Sequence, residues 1–272
     1  MKIRAGYRIA FECEEAATIL LMLSSRWERH ADLLTPDIMT VEPYRPIRQY
    51  SDLYGNLCTR VAVQPGRTTF SADFLMGDSG LPDPVTPDAV QHPIENLPDE
   101  TLVFLLASRY CDTQALMQTA WDLFGQTPPG WARVQAIVQY AHERISFGYH
   151  HARPTRTASE AHEERVGVCR DFAHLAITLC RCMNIPARYC TGYLGDIGVP
   201  PVDAPMDFSA WFEVYLGGAW RTFDARHNRP RIGRILIAIG RDATDVAIST
   251  SFGRTELVEF TVLTQEVADD AG

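Results

Sequence analysis

The sequence predicts an α+β fold from three observations along the chain. Short apolar or alternating stretches, separated by Pro, Gly, Asp and Asn, fill its first part, which is typical of β structure. A segment with five prolines follows, and neither a helix nor a central strand accepts so many. Helical periods come next and then further β-branched stretches. We therefore predict a β-rich domain at 1–80, a proline-rich linker at 81–98 and a mixed core at 99–272.

The composition is that of an ordinary, mildly acidic globular protein. Of 272 residues, 46% are hydrophobic and 22% charged, and 34 acidic against 25 basic side chains give a formal net charge of −9. The chain has no run of Lys or Arg, so it offers no electrostatic footprint for a phosphate backbone or an anionic membrane. We expect no nucleic-acid partner and no membrane partner. The sequence does not indicate an oligomeric state.

Cysteine usage favours a reducing compartment. Seven cysteines are an odd number, and acidic residues at Glu12, Glu14 and Glu15 stand where a signal peptide needs an apolar stretch. We therefore predict free thiols and a cytoplasmic location. Cys180 and Cys182 are two apart on a predicted helix and point about 200° away from each other, unlike the ligand pairs of zinc sites. We expect no metal and no cofactor.

Local signals predict the elements of the core in order. Apolar residues repeat at helical spacing in two stretches, Leu102–Tyr110 and Trp131–Ala141. Thr157 and Glu160 have the spacing of a capping box and predict a short helix that Gly167 ends. These helices all precede the predicted helix that carries Cys169, the first candidate catalytic residue.

Cys169 lies in the first turn of the next predicted helix. The apolar period runs from Cys169 through Asn184, and Pro186 forbids its continuation. Free N–H groups and partial positive charge at a helix start favour thiolate over thiol. Cys169 is therefore a candidate nucleophile, and the alternative is a small buried apolar side chain.

A hairpin follows this helix. The predicted strands are 187–194, 208–216 and 219–223, and the tail from Ile235 to Leu263 is expected to complete the same sheet. Gly217-Gly218 is typical of a type I′ or II′ turn. A two-residue turn places residue 209 opposite 226 and residue 211 opposite 224. The side chains at 209 and 224 then become diagonal neighbours, about 7–8 Å apart.

Several blocks of the sequence resemble the bacterial transglutaminase-like superfamily. They are Gly167–Ala173, Asn184–Tyr189, Gly192–Leu194, Ala210–Trp220 and Phe223-Asp224. The amino-terminal part, with a predicted turn at Asp52–Asn56, is similar to the β-rich domain that often precedes this core. The resemblance implies that 99–272 is a papain-like catalytic core with a Cys-His-Asp triad. Relatives act as cysteine proteases, transglutaminases or amide hydrolases.

The resemblance carries over onto two members of the triad. It implies that Cys169 is the nucleophile and that Asp224 is the orienting carboxylate. Where the family pattern has His directly before Ala-Trp, this sequence has Ser209. Serine has no ionisation near neutral pH, so it cannot take the thiol proton and return it to a leaving amine.

Three interpretations of this departure stay open. His227, just beyond Asp224, is a candidate surrogate base, whereas His174 lies about 140° around the helix from Cys169 and points elsewhere. Alternatively, the helix start alone holds Cys169 as thiolate, and Ser209 and Asp224 position substrate or water. In the third interpretation catalysis is lost and the groove binds a peptide or protein.

Two further residues are predicted to lie beside the site. Trp211 could shield the site from water, and Arg226 could form an ion pair or a wall of the groove, since it cannot serve as a base at neutral pH.

We predict a cysteine peptidase or amide hydrolase that acts on peptide or amide bonds through a thioester at Cys169. The alternative is an inactive peptide- or protein-binding module that uses the same groove.

Overall fold

The computed structural model describes residues 1–201 and 206–268 and has the predicted α+β architecture. The strands are β1 (Lys2–Cys13), β2 (Ala17–Leu21), β3 (Thr40–Glu42), β4 (Ile47–Ser51), β5 (Leu57–Val63), β6 (Gly66–Gly77), β7 (Ser146–Phe147), β8 (Val166–Gly167), β9 (Ala187–Tyr193), β10 (Ser209–Leu216), β11 (Ala219–Phe223), β12 (Ile235–Gly240), β13 (Ser249–Phe252) and β14 (Thr255–Val267). The helices are α1 (Asp99–Leu102), α2 (Thr113–Phe124), α3 (Trp131–Arg144), α4 (Ala158–Glu164) and α5 (Cys169–Cys182). Within these described residues, no helix is long and apolar enough to cross a membrane.

Three four-stranded antiparallel sheets organise the strands. Two of them, ordered β14-β1-β6-β3 and β13-β2-β5-β4, contain the amino-terminal strands, as predicted. The third, ordered β11-β10-β9-β12, belongs to the core. β7 and β8 form a short parallel pair. The predicted turn is also confirmed, because the Asp52 carboxylate accepts hydrogen bonds from the backbone N–H groups of Tyr54 and Asn56.

The expectation that the whole tail completes the core sheet is wrong beyond Gly240. β12 pairs with β9, but β13 pairs with β2 and β14 pairs with β1. β1 is largely buried and would expose a row of unpaired backbone groups if only β6 covered it, so β14 closes its second edge. The domain boundaries at 1–80, 81–98 and 99–272 stay a prediction.

The helices depart from the sequence pattern at two places. The predicted helix Leu102–Tyr110 is wrong, since α1 ends at Leu102 and only a 3₁₀ turn and a loop follow. Side chains satisfy the loop backbone instead: the Arg181 guanidinium donates to the carbonyl of Leu106, and the Asp242 carboxylate accepts from the N–H of Tyr110. The sequence pattern also missed α2.

Helices α3, α4 and α5 lie at the predicted positions in the chain. The capping box of α4 is present: the N–H of Glu160 donates to the Thr157 hydroxyl, and the N–H of Thr157 donates to the Glu160 carboxylate. Arg165, rather than Gly167, ends this helix in a left-handed conformation at φ 59°. α5 is buried from Asp171 to its end, with β9 and β10 on one side and α2, α3 and α4 around the rest.

Asn56 links the amino-terminal sheet to the core sheet. It is fully buried, its side-chain oxygen accepts from the N–H of Ile239 at 2.9 Å, and its side-chain nitrogen donates to the carbonyl of Ile239 at 2.7 Å. The same oxygen accepts from the Arg26 guanidinium at 2.6 Å. The Asn56 side chain thus satisfies the backbone N–H and carbonyl of Ile239 at the edge strand β12, where the two sheets meet.

We expect Asn56→Ala to lower the free energy of unfolding by about 2–4 kcal/mol, because it removes the side-chain partners of the Ile239 N–H and carbonyl and one of the partners of the Arg26 guanidinium. Urea denaturation measures this change. Asn96→Ala is the matched control: Asn96 is exposed and its side chain makes no hydrogen bond within the described residues, so we expect a change below about 0.5 kcal/mol. Equal losses in the two variants would contradict the linking role of Asn56.

Candidate active site

The start of α5 fixes Cys169. Val168 precedes the helix in an extended conformation, and its N–H donates to the Asp171 carboxylate at 2.8 Å. Asp171 is buried and also accepts from the Arg156 guanidinium at 3.1 Å, so its charge is compensated. Of the seven free cysteines, Cys169 alone is half-buried and the other six are buried. The helix therefore presents one thiol to a surface cavity.

The thiol of Cys169 is neutral in the resting protein. Burial raises its pKa to about 11, because the packed surroundings disfavour the charged thiolate. Arg226 and the backbone N–H of Ala210 favour the thiolate without compensating for burial, and Asp207 adds to the rise. The expectation of a resting thiolate from the helix start is therefore wrong. The thiol needs a base to become a nucleophile.

A turn after β11 brings a histidine to Asp224. The carboxylate accepts from the backbone N–H of His227 at 3.0 Å through Oδ1 and contacts Nδ1 of the His227 ring at 2.9 Å through Oδ2. The N–H of Asn228 donates to the carbonyl of Asp224 at 2.8 Å and closes the turn. When the neutral ring donates its Nδ1–H hydrogen bond to the ionised Asp224, Nε2 is the nitrogen that can accept a proton.

Arg234 keeps Asp224 ionised. The carboxylate is almost fully buried, and burial alone would raise its pKa. The Arg234 guanidinium, which donates to Oδ2 at 2.9 Å, and the hydrogen bonds from His227 outweigh burial and hold the pKa of Asp224 well below its usual range. A permanent negative charge thus lies behind the His227 ring.

One cavity of about 60 Å³ brings together Cys169, Ser209, Arg226 and His227, four of the six predicted residues. Its other lining residues are Tyr149, Leu194, Asp196, Met206, Asp207, Phe208 and Arg231. The hairpin has the predicted register from Leu216 opposite Ala219 to Phe212 opposite Phe223, with positive φ at both turn glycines. β11 ends at Phe223, so the predicted pairs 211 with 224 and 209 with 226 are not part of the ladder. It delivers Ser209 to the cavity from β10, whereas the turn after β11 delivers Arg226 and His227.

The remaining two predicted residues lie outside this cavity. Asp224 is behind His227, and Trp211 lines a neighbouring groove of about 750 Å³, where the Arg234 guanidinium lies 4.9 Å from its ring centroid. Arg226 forms a wall, with its guanidinium 3.8 Å from the centroid of the Phe147 ring.

His174 points elsewhere, as predicted. It is buried in the core, where its Nε2 accepts from the backbone N–H of Ala243. Burial lowers the pKa of His174 to about 3, so the ring is neutral there. Of the two candidate histidines, His174 and His227, it is therefore His227 that shares a cavity with the Cys169 thiol.

Sequence reasoning missed the residues that support Asp224. Arg234 and its second partner Asp83 are 151 positions apart in the chain, and no local pattern connects them. His142 on α3 was also missed, although its Nδ1 lies 3.1 and 2.9 Å from the carbonyl oxygens of Ala225 and Arg226. Only the three-dimensional structure shows these contacts.

Comparisons with known proteins agree with this architecture. Residues 118–225 match the family model of the transglutaminase-like superfamily, a range that includes Cys169, Ser209 and Asp224 and ends before His227. An uncharacterized protein of Mycobacterium leprae, ML0607, is 37% identical over 101 residues, which are 34% of this chain. The matched segment spans 35% of that relative's own length.

A solved structure matches over the whole chain. The crystal structure of a "putative cysteine protease" from Cytophaga hutchinsonii superimposes with a TM-score of 0.84 at 28% sequence identity. The match covers 100% of this chain and 92% of that one. The two proteins therefore share both the core and the amino-terminal sheets.

We expect iodoacetamide to alkylate Cys169 first among the seven cysteines, because it alone is not fully buried. Only the thiolate reacts, and the pKa of Cys169 is raised to about 11, so the rate should increase about tenfold per pH unit from pH 7 to 10. Peptide mass spectrometry reports the rate at each cysteine. A plateau below pH 8.5 would contradict a neutral resting thiol.

Proposed function

We propose that this chain, which carries a transglutaminase-like core, is a cysteine peptidase or amide hydrolase whose triad is Cys169, His227 and Asp224. The observation that carries the proposal is the 2.9 Å contact between His227 Nδ1 and Asp224 Oδ2 beside the cavity that holds Cys169. His227 then takes the role that the family pattern gives to a histidine at position 209. Ser209 is small enough to leave the cavity open for the His227 ring.

The proposed reaction begins with a neutral thiol. Nε2 of His227 takes the proton of Cys169 as Sγ attacks the amide carbonyl, and the negative charge moves to the carbonyl oxygen. N–H groups at the start of α5, including that of Cys169, stabilise this oxyanion. The C–N bond breaks as His227 returns the proton to the leaving amine, which gives a thioester. Water or a second amine then releases the acyl group.

The ionised Asp224 supports both proton transfers. It fixes the Nδ1–H tautomer and stabilises the imidazolium that forms when His227 takes the thiol proton. Because burial raises the pKa of Cys169 to about 11, the thiol keeps its proton at neutral pH, and in the proposed mechanism His227 removes it as the sulfur attacks. The rate therefore depends on how well His227 is oriented.

The proposed substrate is a peptide or protein amide. The likeness to the Cytophaga hutchinsonii structure described as a "putative cysteine protease" supports this class. We also retain the prediction of a cytoplasmic setting, since the seven cysteines are unpaired.

A non-catalytic peptide-binding module is the second candidate. It is favoured by the size of the cavity at Cys169, about 60 Å³, since ligand pockets usually measure about 300–1,000 Å³. The neighbouring groove of about 750 Å³, lined by Trp211 and Arg234, has the volume that a peptide segment needs. The variants below separate the two functions.

We expect His227→Gln to lower kcat/KM by at least about 100-fold, because the change removes the general base. Hydrolysis of a fluorogenic peptide-amide library measures the effect, with Cys169→Ala as the blank. His150→Gln is the matched control: His150 is exposed and lies outside the cavity lining, so we expect less than about a threefold change. Full activity in His227→Gln would exclude the proposed triad, and no activity in the unmodified protein would favour the binding module.

We expect the double variant Ser209→His/His227→Gln to regain at least about tenfold activity over His227→Gln alone. Position 209 lines the same cavity as Cys169, and extending the hairpin register beyond Phe212 and Phe223 would make residues 209 and 224 diagonal neighbours. The same peptide-amide assay gives the comparison, and circular dichroism checks the fold. A folded double variant no faster than His227→Gln would show that position 209 cannot place a base at the thiol.

A further inference from the structure

A chain of charged contacts leads from the proline-rich segment to the candidate base. Asp83 Oδ1 and Oδ2 accept from Nε of Arg234 at 3.1 and 2.9 Å. Nη2 of Arg234 donates to Asp224 Oδ2 at 2.9 Å, and the same oxygen contacts His227 Nδ1. Arg234 and Asp224 are almost fully buried, and the Asp83 side chain is only 15% exposed. The order is Asp83, Arg234, Asp224, His227.

We propose that Asp83 and Arg234 are positioning residues for His227, which act through Asp224. This inference rests on the proposed function, in which His227 is the base for Cys169. It assigns the proline-rich segment a direct part in the site, in addition to its place between the amino-terminal strands and the helices.

The charges of the four residues balance only when His227 is protonated. Arg234 and the imidazolium carry two positive charges, and Asp83 and Asp224 carry two negative charges. Because the group is largely buried, a net charge would be costly there. Asp83 therefore favours the protonated state of His227, which arises when the ring takes the thiol proton. Without Asp83, the positive charge of Arg234 would repel the His227 imidazolium, and no carboxylate on the far side of Arg234 would offset that repulsion.

Asp83 is also held rigidly. Its carboxylate accepts from the N–H of Arg231 at 2.9 Å, and its own N–H donates to the carbonyl of Arg231 at 2.8 Å. Pro82 and Pro84 flank it and restrict the backbone on both sides. Asp83 thus fixes the loop after Asp224 at Arg231, and it also pairs with Arg234.

Other charged and titratable groups surround His227 and contribute to its proton affinity. Those that line the cavity or contact the turn are Tyr149, Cys169, Asp196, Asp207, Arg226, Arg231 and His142. All of them are present in each of the variants below, so their charges are common to every titration that is compared.

The test is the pH titration of the His227 ring by NMR, assigned by comparison with His227→Gln. We expect Asp83→Asn to move the midpoint down by about half a unit to one unit, because a nearby negative charge is lost from a partly buried group. Asp88→Asn is the matched control. Asp88 lies in the same proline-rich segment, is exposed and makes no hydrogen bond or ion pair within the described ranges, so its midpoint should move by less than about 0.2 unit.

Arg234→Gln should move the midpoint in the opposite direction, because it removes a positive charge beside Asp224. A shift in Asp83→Asn no larger than in Asp88→Asn would overturn the inference, as would a loss of thermal stability without any shift. If Arg234→Gln does not fold, Asp83→Asn decides the outcome alone. The titration needs no turnover, so it separates failure of this inference from failure of the proposed function, which Cys169→Ala and His227→Gln test.

Discussion

A buried, ionised carboxylate at Asp224 is the constraint on which the candidate site depends. A carboxylate without partners would cost several kcal/mol at such depth, so the surrounding chain must supply donors. The donors are the ring and backbone N–H of His227 and the guanidinium of Arg234. Each of them fixes a different part of the loop that follows β11. The need to compensate one charge therefore determines the path of the chain from Asp224 to Arg234.

The same constraint connects distant parts of the fold. Arg234 brings a positive charge that Asp224 shares with Asp83, and Asp83 belongs to the proline-rich segment rather than to the core sheet. On the other side, α5 is rigid because it is buried almost all round and because Asp171 satisfies its first turn. The Cys169 thiol and the His227 ring thus come from two independently fixed supports. Their relative position depends on the packing of α5 against β10.

Local sequence signals predicted the parts of the site that depend on neighbours in the chain. Gly217-Gly218 gave the hairpin register, because two residues with positive φ match the twist of the strands. The period of apolar residues placed Cys169 at a helix start. These features involve a few consecutive residues, so their physical cause is visible in the sequence.

Features that depend on packing were not predictable in this way. The helix start was expected to lower the pKa of Cys169, but burial raises it, and the helix that carries this sulfur packs against β10, which begins forty residues later. The pairing of β14 with β1 and of Arg234 with Asp83 joins segments with no common pattern. In each case the outcome depends on which surfaces meet in three dimensions.

The raised pKa of Cys169 and the place of His227 belong together in the proposed mechanism. A thiolate stabilised in advance would need no base for attack, and the loss of a histidine at 209 would then matter only for the leaving amine. A neutral thiol needs the base in both steps. In the proposed mechanism His227 meets this requirement, because its Nδ1 contacts Asp224 and its Nε2 is left to accept the thiol proton. Ser209 and Asp224 then have complementary roles in the proposal, because a serine fills less of the cavity at Cys169 than a histidine would and the Asp224 carboxylate orients the His227 ring.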